Sequence, residues 1–412
     1  MRLPEPGGVV VGLTGCLLGI GIVMVYSSDW VSSLGQRGDS SALLKHMVAL
    51  GLGTGAMVGL LCFDYRRLES LWYVWLALAL SGLVLVLVPG IGTLQNGARR
   101  WIRLGPMMGF QPSEFAKLVL VIFMARWASR YQGRMREFLR GFLFPLLAVM
   151  GFTVLTVLEP DFGTAGFMAV LGMMLLIAAG SRWVYVGAAA LSLVPVLFLL
   201  IHHAAYRKAR VLAFMDPWSD ASGAGYHIIQ SWIALGSGGS LGDGLGKGYQ
   251  KLFFLPECSG DFIFATLGEE LGFAGTFSVV LLFALLAWQG LRVSLRATET
   301  FGQILALGLT FMLCYQAAFN MAVVLGCVPT KGIPLPFISS GGSSLLLSMA
   351  AVGLLLNISI HSQEKEGVFS WRPGFLMRKS AGACVPCTSK VQGVMRGTPG
   401  WQGRPYQRRG IS

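Results

Sequence analysis

The stretch "PECSGDFIFATLGEE", Pro256 to Glu270, gathers four carboxylates, Glu257, Asp261, Glu269 and Glu270, in a chain of 412 residues of which only 12% are charged. Basic residues gather elsewhere. "NGARRWIRLGPMMGFQPSEFAK", Asn96 to Lys117, sets Arg99, Arg100 and Arg103 around Trp101, and "YRKARVLAFMDPW", Tyr206 to Trp218, carries Arg207, Lys208 and Arg210. Lys247, Lys251 and Lys331 add to them. Guanidinium forks make bidentate, charge-assisted bonds to phosphate. A carboxylate among such cations suits attack by a hydroxyl with loss of a phosphate: the acid takes the proton and the cations steady the leaving group. Glycosyl transfer from a phosphate-linked donor is one reaction of this kind. The blander alternative for Arg99 to Arg103 is an amphipathic interfacial helix touching lipid headgroups, with Trp101 as its anchor.

Other residues compete for the same roles. Glu114 and Lys117 stand three apart on one helix face in an apolar run, where desolvation marks ionisable groups as functional candidates. Asp161, in "EPDFGT", fits a turn residue or helix N-cap. Asp261 itself also fits an N-cap for a short helix through Phe262, Ile263 and Phe264. Glu269 and Glu270 fit the start of an apolar helix near Glu270, where the backbone dipole favours carboxylates. "SSGGSS", Ser339 to Ser344, reads as a tight loop opening the last helix, its free N–H groups open to an anion. The five histidines form no HExxH, no GxSxG occurs, and no local cluster demands a metal, although a divalent cation stays open. "GSGGSLGDGLGKG" mimics a phosphate loop, but Leu241 and Gly248 occupy the places of the required Gly and Ser or Thr. It reads as a flexible turn between re-entrant segments.

These residues need a scaffold, and the composition defines it. A mean hydropathy of +0.65, 54% hydrophobic residues and 55 glycines exclude a soluble enzyme. About ten apolar runs are long enough to cross a hydrocarbon core as helices. They lie near 9–26, 43–63, 71–89, 114–129, 141–158, 163–180, 183–202, 270–291, 301–324 and 344–360. The first is longer than a signal-peptide core and reads as a retained helix. The expected fold is therefore an all-α polytopic membrane protein, with a long extracytoplasmic loop between helices seven and eight.

Placing the N-terminus in the cytoplasm puts Arg66 and Arg67, the segment "ARWASRYQGRMREFLR", Arg182, and Arg292 with Arg296 on the cytoplasmic side, as the positive-inside bias requires. The clusters at 96–117 and 206–218 then break the bias from outside. This favours an anionic ligand from the outer leaflet, such as a phosphorylated lipid, and excludes a cytoplasmic nucleotide. Residues 1–360 form the membrane domain, and 361–412 a basic tail expected to be disordered against anionic lipid. Nucleic acid is not an expected partner. Seven scattered cysteines define no disulfide framework, and Cys384-Val-Pro-Cys387 lacks the second pair of a zinc ribbon.

The motifs "NGARRWIRLGP", "QPSEFAK", "EPDFGT", "IIQSWIALGSGG", "FLPECSGDFIFATLGEELG" and "VPTKGIPLPFISSGGSSLL" occur in that order. Together they closely resemble the SEDS family of shape, elongation, division and sporulation proteins, from about Val9 to Ile360. "PTKG" and "PFIS" are more similar to the division and sporulation members than to the elongation member. The resemblance implies a ten-helix peptidoglycan glycosyltransferase of the bacterial cytoplasmic membrane, with both termini cytoplasmic. It would polymerise lipid II onto a growing glycan strand beside a class B penicillin-binding protein and other divisome components, releasing undecaprenyl pyrophosphate. By the same resemblance, the essential outer aspartate falls on Asp261, the buried acid–base pair on Glu114 and Lys117, and an activity-associated segment on Arg100 and Trp101. Arg99, Arg207, Arg210 and Lys331 are assigned to substrate by charge. The chain departs from the family at Cys258, Ser259 and Gly260, which replace a His-Thr-containing stretch, at Ser340 for a common Tyr, and at Glu159 for a common Gln. The competing functions are a lipid II flippase, a non-catalytic scaffold, and an elongation or sporulation member of the same family.

Overall fold

The computed structural model describes residues 5–35, 41–95, 98–103, 105, 109–202, 205–252 and 254–363. The tail beyond 363, with Cys384 and Cys387, lies outside the described residues. The long helices are α1 (Pro6–Gly35), α2 (Ser41–Cys62) and, after the short α3 (Arg66–Ser70), α4 (Trp72–Leu87). A small sheet follows, β1 (Gly92–Gln95), β2 (Ala98–Arg103) and β3 (Gly109–Phe110), and then α5 (Pro112–Arg130), α6 (Phe144–Leu158), α7 (Phe162–Ala178) and α8 (Trp183–His202). Two shorter helices, α9 (Ala205–Met215) and α10 (Tyr226–Ser237), precede α11 (Ile263–Arg296), α12 (Thr300–Val324) and α13 (Gly342–Gln363).

Helices cover the expected apolar runs. Seven are long and apolar enough to cross a membrane, while α4 and α7 are apolar but shorter. The helices run up and down, so the sheet, α9, α10 and the connections before α11 and α13 gather at one end. The bundle is centred on α13 and α12, which pack on α2, α5 and α11 and are mostly buried. Peripheral α8 exposes Trp183, Leu191 and Phe198, as a helix facing lipid does.

The structure corrects two expectations. First, within the expected all-α polytopic architecture, Arg99 to Arg103 form the central strand of a small antiparallel β1-β2-β3 sheet rather than the interfacial helix offered as the alternative. Thr93 Oγ1 donates to the Trp101 carbonyl across that sheet at 3.0 Å. Second, the helix expected from Glu270 begins at Ile263 and breaks at Gly272, whose φ of 65° and ψ of −162° no helix contains. The break frees backbone groups, and the turn at 239–244 satisfies them. Asp243 and Gly244 N–H donate to the carbonyls of Glu269 and Glu270, while Phe273 and Ala274 N–H donate to Gly239 and Ser240. A Cβ on Gly272 would fall 2.3 Å from the Gly242 nitrogen, so only glycine permits this approach. The glycine-rich turn is therefore pinned, not flexible.

Candidate functional site

The end of the bundle that carries the sheet assembles residues from five segments. β2 contributes Arg100, whose guanidinium donates to the backbone carbonyls of Glu159 and Pro160 in the α6–α7 turn. The pairing with β1 steps from Trp101 to Arg99 and skips Arg100, which sits at an irregularity of the ladder, and the Trp101 ring closes over Gly109. Asp161 caps α7, accepting from Thr164 N at 3.2 Å and Thr164 Oγ1 at 2.9 Å, and also from Gln111 Nε2 at 3.3 Å. Next in sequence, the Phe162 ring carries Arg207 from α9 at 3.5 Å and Lys331 at 5.6 Å from its centroid. Such cation–π contacts hold two like charges near each other over one face of negative potential.

Asp261 lies opposite, in the last turn before α11. Phe262 occupies the cap position of that helix and no side chain caps it, so the N-cap reading of Asp261 does not hold. No described residue donates a hydrogen bond to its carboxylate. Burial pushes its pKa up to about 7, with the carboxylates of Glu257 and Asp161 adding to the rise and Arg210 opposing it. Gly332 approaches so closely that a Cβ there would lie 2.7 Å from Asp261 Oδ2. Beside it, burial draws Lys331 down to about 8; Asp161 opposes this, and Arg210, Arg100 and Arg207 reinforce it. His227 stacks on Phe262 at 5.5 Å and is held below its usual pKa by burial and Arg210. Of the cations only Arg210 acts on Asp261 directly, and Gly332 brings the Lys331 segment against it, while Arg100, Arg207 and Arg210 gather around Lys331; an acid poised near neutrality beside such a cluster is able to accept a proton while the cations hold an anion.

The other predicted residues are placed apart. Glu114 and Lys117 form a buried ion pair of 2.7 Å inside the bundle. Lys117 Nζ donates on to Gln316 Oε1 at 2.7 Å and sits 4.8 Å from the Phe167 ring. Lys251, expected among the basic groups at the site, is instead buried and paired with Glu270. Ser27 Oγ donates to both Glu270 oxygens, at 2.7 and 2.9 Å, and Gly246 N donates to Oε2 at 3.1 Å. Glu269 accepts from the backbone N–H of Tyr249 and Gln250. Both acids therefore pin the loop against a broken helix and do not decorate a helix start. The serines of "SSGGSS" are likewise committed: Ser339 Oγ donates to Gly260 O at 2.7 Å and Ser343 Oγ to Gly109 O at 2.8 Å.

Sequence reading missed Gln316, Asn320, Phe162 and Gly332. A signal existed for the first two, because polar amides four apart on an apolar helix share one buried face. Among the described residues no group of three or more His, Cys, Asp or Glu stands together as a metal site, and Cys16, Cys62, Cys258, Cys314 and Cys327 are free thiols.

The fold and this cluster define a class: polytopic helical membrane proteins with an acid among cations at one end of the bundle. Residues 9–364 match the FtsW/RodA/SpoVE family model, described as "Cell cycle protein". The chain belongs to this family, the SEDS proteins. It is 43% identical over 341 residues to a "Probable peptidoglycan glycosyltransferase FtsW" of Geobacter sulfurreducens, covering 82% of this chain and 91% of that one. It is 40% identical over 363 residues to stage V sporulation protein E of Bacillus subtilis, covering 87% and 98%. Among solved structures, one titled "Structural coordination of polymerization and crosslinking by a peptidoglycan synthase complex" superposes with a TM-score of 0.71 at 28% identity, covering 88% of this chain and 100% of that one. The rod shape determining protein RodA of Thermus thermophilus gives 0.64 at 28% identity, covering 87% and 98%.

Proposed function

We propose that the chain is a division-type peptidoglycan glycosyltransferase that polymerises lipid II on the outer face of the bacterial cytoplasmic membrane. The observation that carries this reading is the Asp261 carboxylate, without a hydrogen-bond donor among the described residues, raised to about 7 and brought by the close approach of Gly332 beside the cluster of Lys331, Arg100, Arg207 and Arg210. A base is most effective when its pKa lies near the working pH. Asp261 draws the proton from the 4-hydroxyl of an acceptor lipid II. The freed electron pair attacks the anomeric carbon of the donor strand with inversion, and the bond to undecaprenyl pyrophosphate breaks. The four cations take up the charge of that leaving group, which needs no general acid. Arg99 and Trp101, on β2, contact the lipid-linked chain at the membrane surface. Glu114 and Lys117 support the site from within the bundle.

The clustered arginines at the opposite end of the bundle favour a cytoplasmic assignment for that end and for both termini. Similarity to a peptidoglycan synthase complex that coordinates polymerization and crosslinking supports a crosslinking partner, which we take to be a class B penicillin-binding protein working beside other division components. The test is polymerisation of lipid II by purified chain with its partner. Asp261→Asn, folded as wild type, is expected to form no glycan, and a wild-type rate sinks the mechanism. Movement of labelled lipid II between leaflets by Asp261→Asn, with no polymer from either form, would make the chain a transporter instead.

A further inference from the structure

Asn320 lies near the end of α12 among buried apolar neighbours, Ala317, Met321, Val323 and Val324. Its Nδ2 donates two hydrogen bonds, each 2.8 Å, one to the backbone carbonyl of Asp261 and one to that of Ile333. The first carbonyl belongs to the residue carrying the acid. The second lies two residues beyond Lys331. One amide nitrogen therefore ties the backbone of the acid to the backbone of the cation. An amide NH2 is suited to this because it offers two hydrogens on one atom. The reverse orientation would set an oxygen against two carbonyl oxygens, so the donor assignment follows from the partners.

The same seam is stitched at two further points. Gln316, one turn earlier on the same face, donates to Pro334 O and to Ser344 Oγ, each at 3.0 Å, and accepts from Lys117. On the other side, Ser339 Oγ donates to Gly260 O and accepts from Leu335 N at 2.8 Å, while Ser340 N donates to Ser259 O at 2.9 Å. Asn320 is the member whose bonds reach both reacting segments directly.

We infer that Asn320 is a positioning residue that fixes the separation of Asp261 from Lys331, and that the Glu114–Lys117 pair reaches the site through Gln316 as the tier beneath it. The inference rests on the reading of Asp261 as the base. Displacement of a catalytic group by about 1 Å lowers rate by about a hundredfold, so the clamp is expected to act on turnover more than on binding.

The experiment measures kcat, KM and the pH dependence of lipid II polymerisation by the full chain with its class B partner, per mole of monodisperse protein. Asn320→Ala is expected to lower kcat about 30-fold or more with KM within about threefold. The acidic limb of its kcat profile should move to lower pH, because a loosened loop admits water to Asp261. Asn320→Ser, which keeps one donor hydrogen, should fall between the two. A wild-type kcat, or a loss matched by loss of folded protein with the acidic limb unmoved, overturns the inference. Should the alanine chain not purify as one species, the same two readouts are taken on Asn320→Ser, and the same results support or overturn the clamp. Asp261→Asn, run in parallel, separates the failures. If it remains active, the base assignment falls and this inference with it; if it is inactive while Asn320→Ala is unimpaired, only the clamp falls.

Discussion

Asp261 and Glu270 lie on one stretch of sequence, and the structure treats them in opposite ways. Glu270 is fully buried, yet Lys251, Ser27 and the Gly246 N–H occupy its oxygens. Asp261 lies beside the cation cluster around Lys331, with Arg210 acting on it directly, and no cation stands within ion-pair distance of it among the described residues. A buried charge whose bonding capacity is used up in the fold has nothing left to offer a substrate, and it behaves as a fastener. A carboxylate held in a desolvated place without a bound proton donor keeps its basicity. Cations whose acids are occupied elsewhere stay open to a ligand's charge. The lesson is that acid content did not mark the site; unspent hydrogen-bonding capacity did.

The contrast can be broken most forcefully at its structural pole. Glu270→Ala strands Lys251 in the interior, and removing one partner of a buried pair destabilises by about 3–5 kcal/mol. The expected outcome is a large drop in thermal midpoint in detergent, or failure to recover monodisperse protein. Asp261→Asn should do the reverse. Because the folded pKa of Asp261 is about 7 and its ordinary value 3.8, the stability linked to its protonated form is complete below 3.8 and lost as pH rises through 7. The Asn chain should therefore melt higher than wild type at pH 8, with the gap closing by pH 4. A lower midpoint for Asp261→Asn at pH 8 would place the two acids in one category.

A smaller effect tests the approach of the two loops. Gly332→Ala sets a methyl group against Asp261 Oδ2 and should lower the polymerisation rate by about tenfold or more, with little change in melting. The smallest concerns Glu159, which is 0% exposed with both carboxylate oxygens lacking a partner, and whose pKa is pushed up to about 8 by burial and by Asp161, against Arg100. Burial without a partner favours its neutral acid form, the form closest in shape and charge to the glutamine common at this position in the family. Its contribution is full below about pH 4.5 and lost as pH rises through 8. Glu159→Gln should match wild type at pH 5 and melt a few degrees higher at pH 9; equal melting at both would refute the neutral-acid assignment.

Much of this was legible in advance. The ten apolar runs carry their own signal, because crossing a membrane demands length and hydropathy that few other constraints can produce. Arg100, Arg207 and Arg210 lie in the two segments expected to break the charge bias, and Lys331 is marked by the "VPTKG" motif. The small sheet was not legible, since "ARRWIR" has no clean alternation and owes its strand state to pairing with β1 and β3. The fate of Lys251 was equally hidden: its partner Glu270 is reached only through the break at Gly272, and a positive φ leaves no mark in the sequence beyond the glycine itself.

The sequence by itself determined the solvent of this protein, the family it belongs to and the inventory of charges near its site. Those follow from composition, spacing and order, which are local properties of the chain. Only the tertiary structure decided which charges cancel and which remain available. Asp261, Glu269 and Glu270 are chemically alike in sequence, and what separates Asp261 from the other two is whether a partner from another segment reaches the oxygens, a property of distances that the chain acquires only on folding.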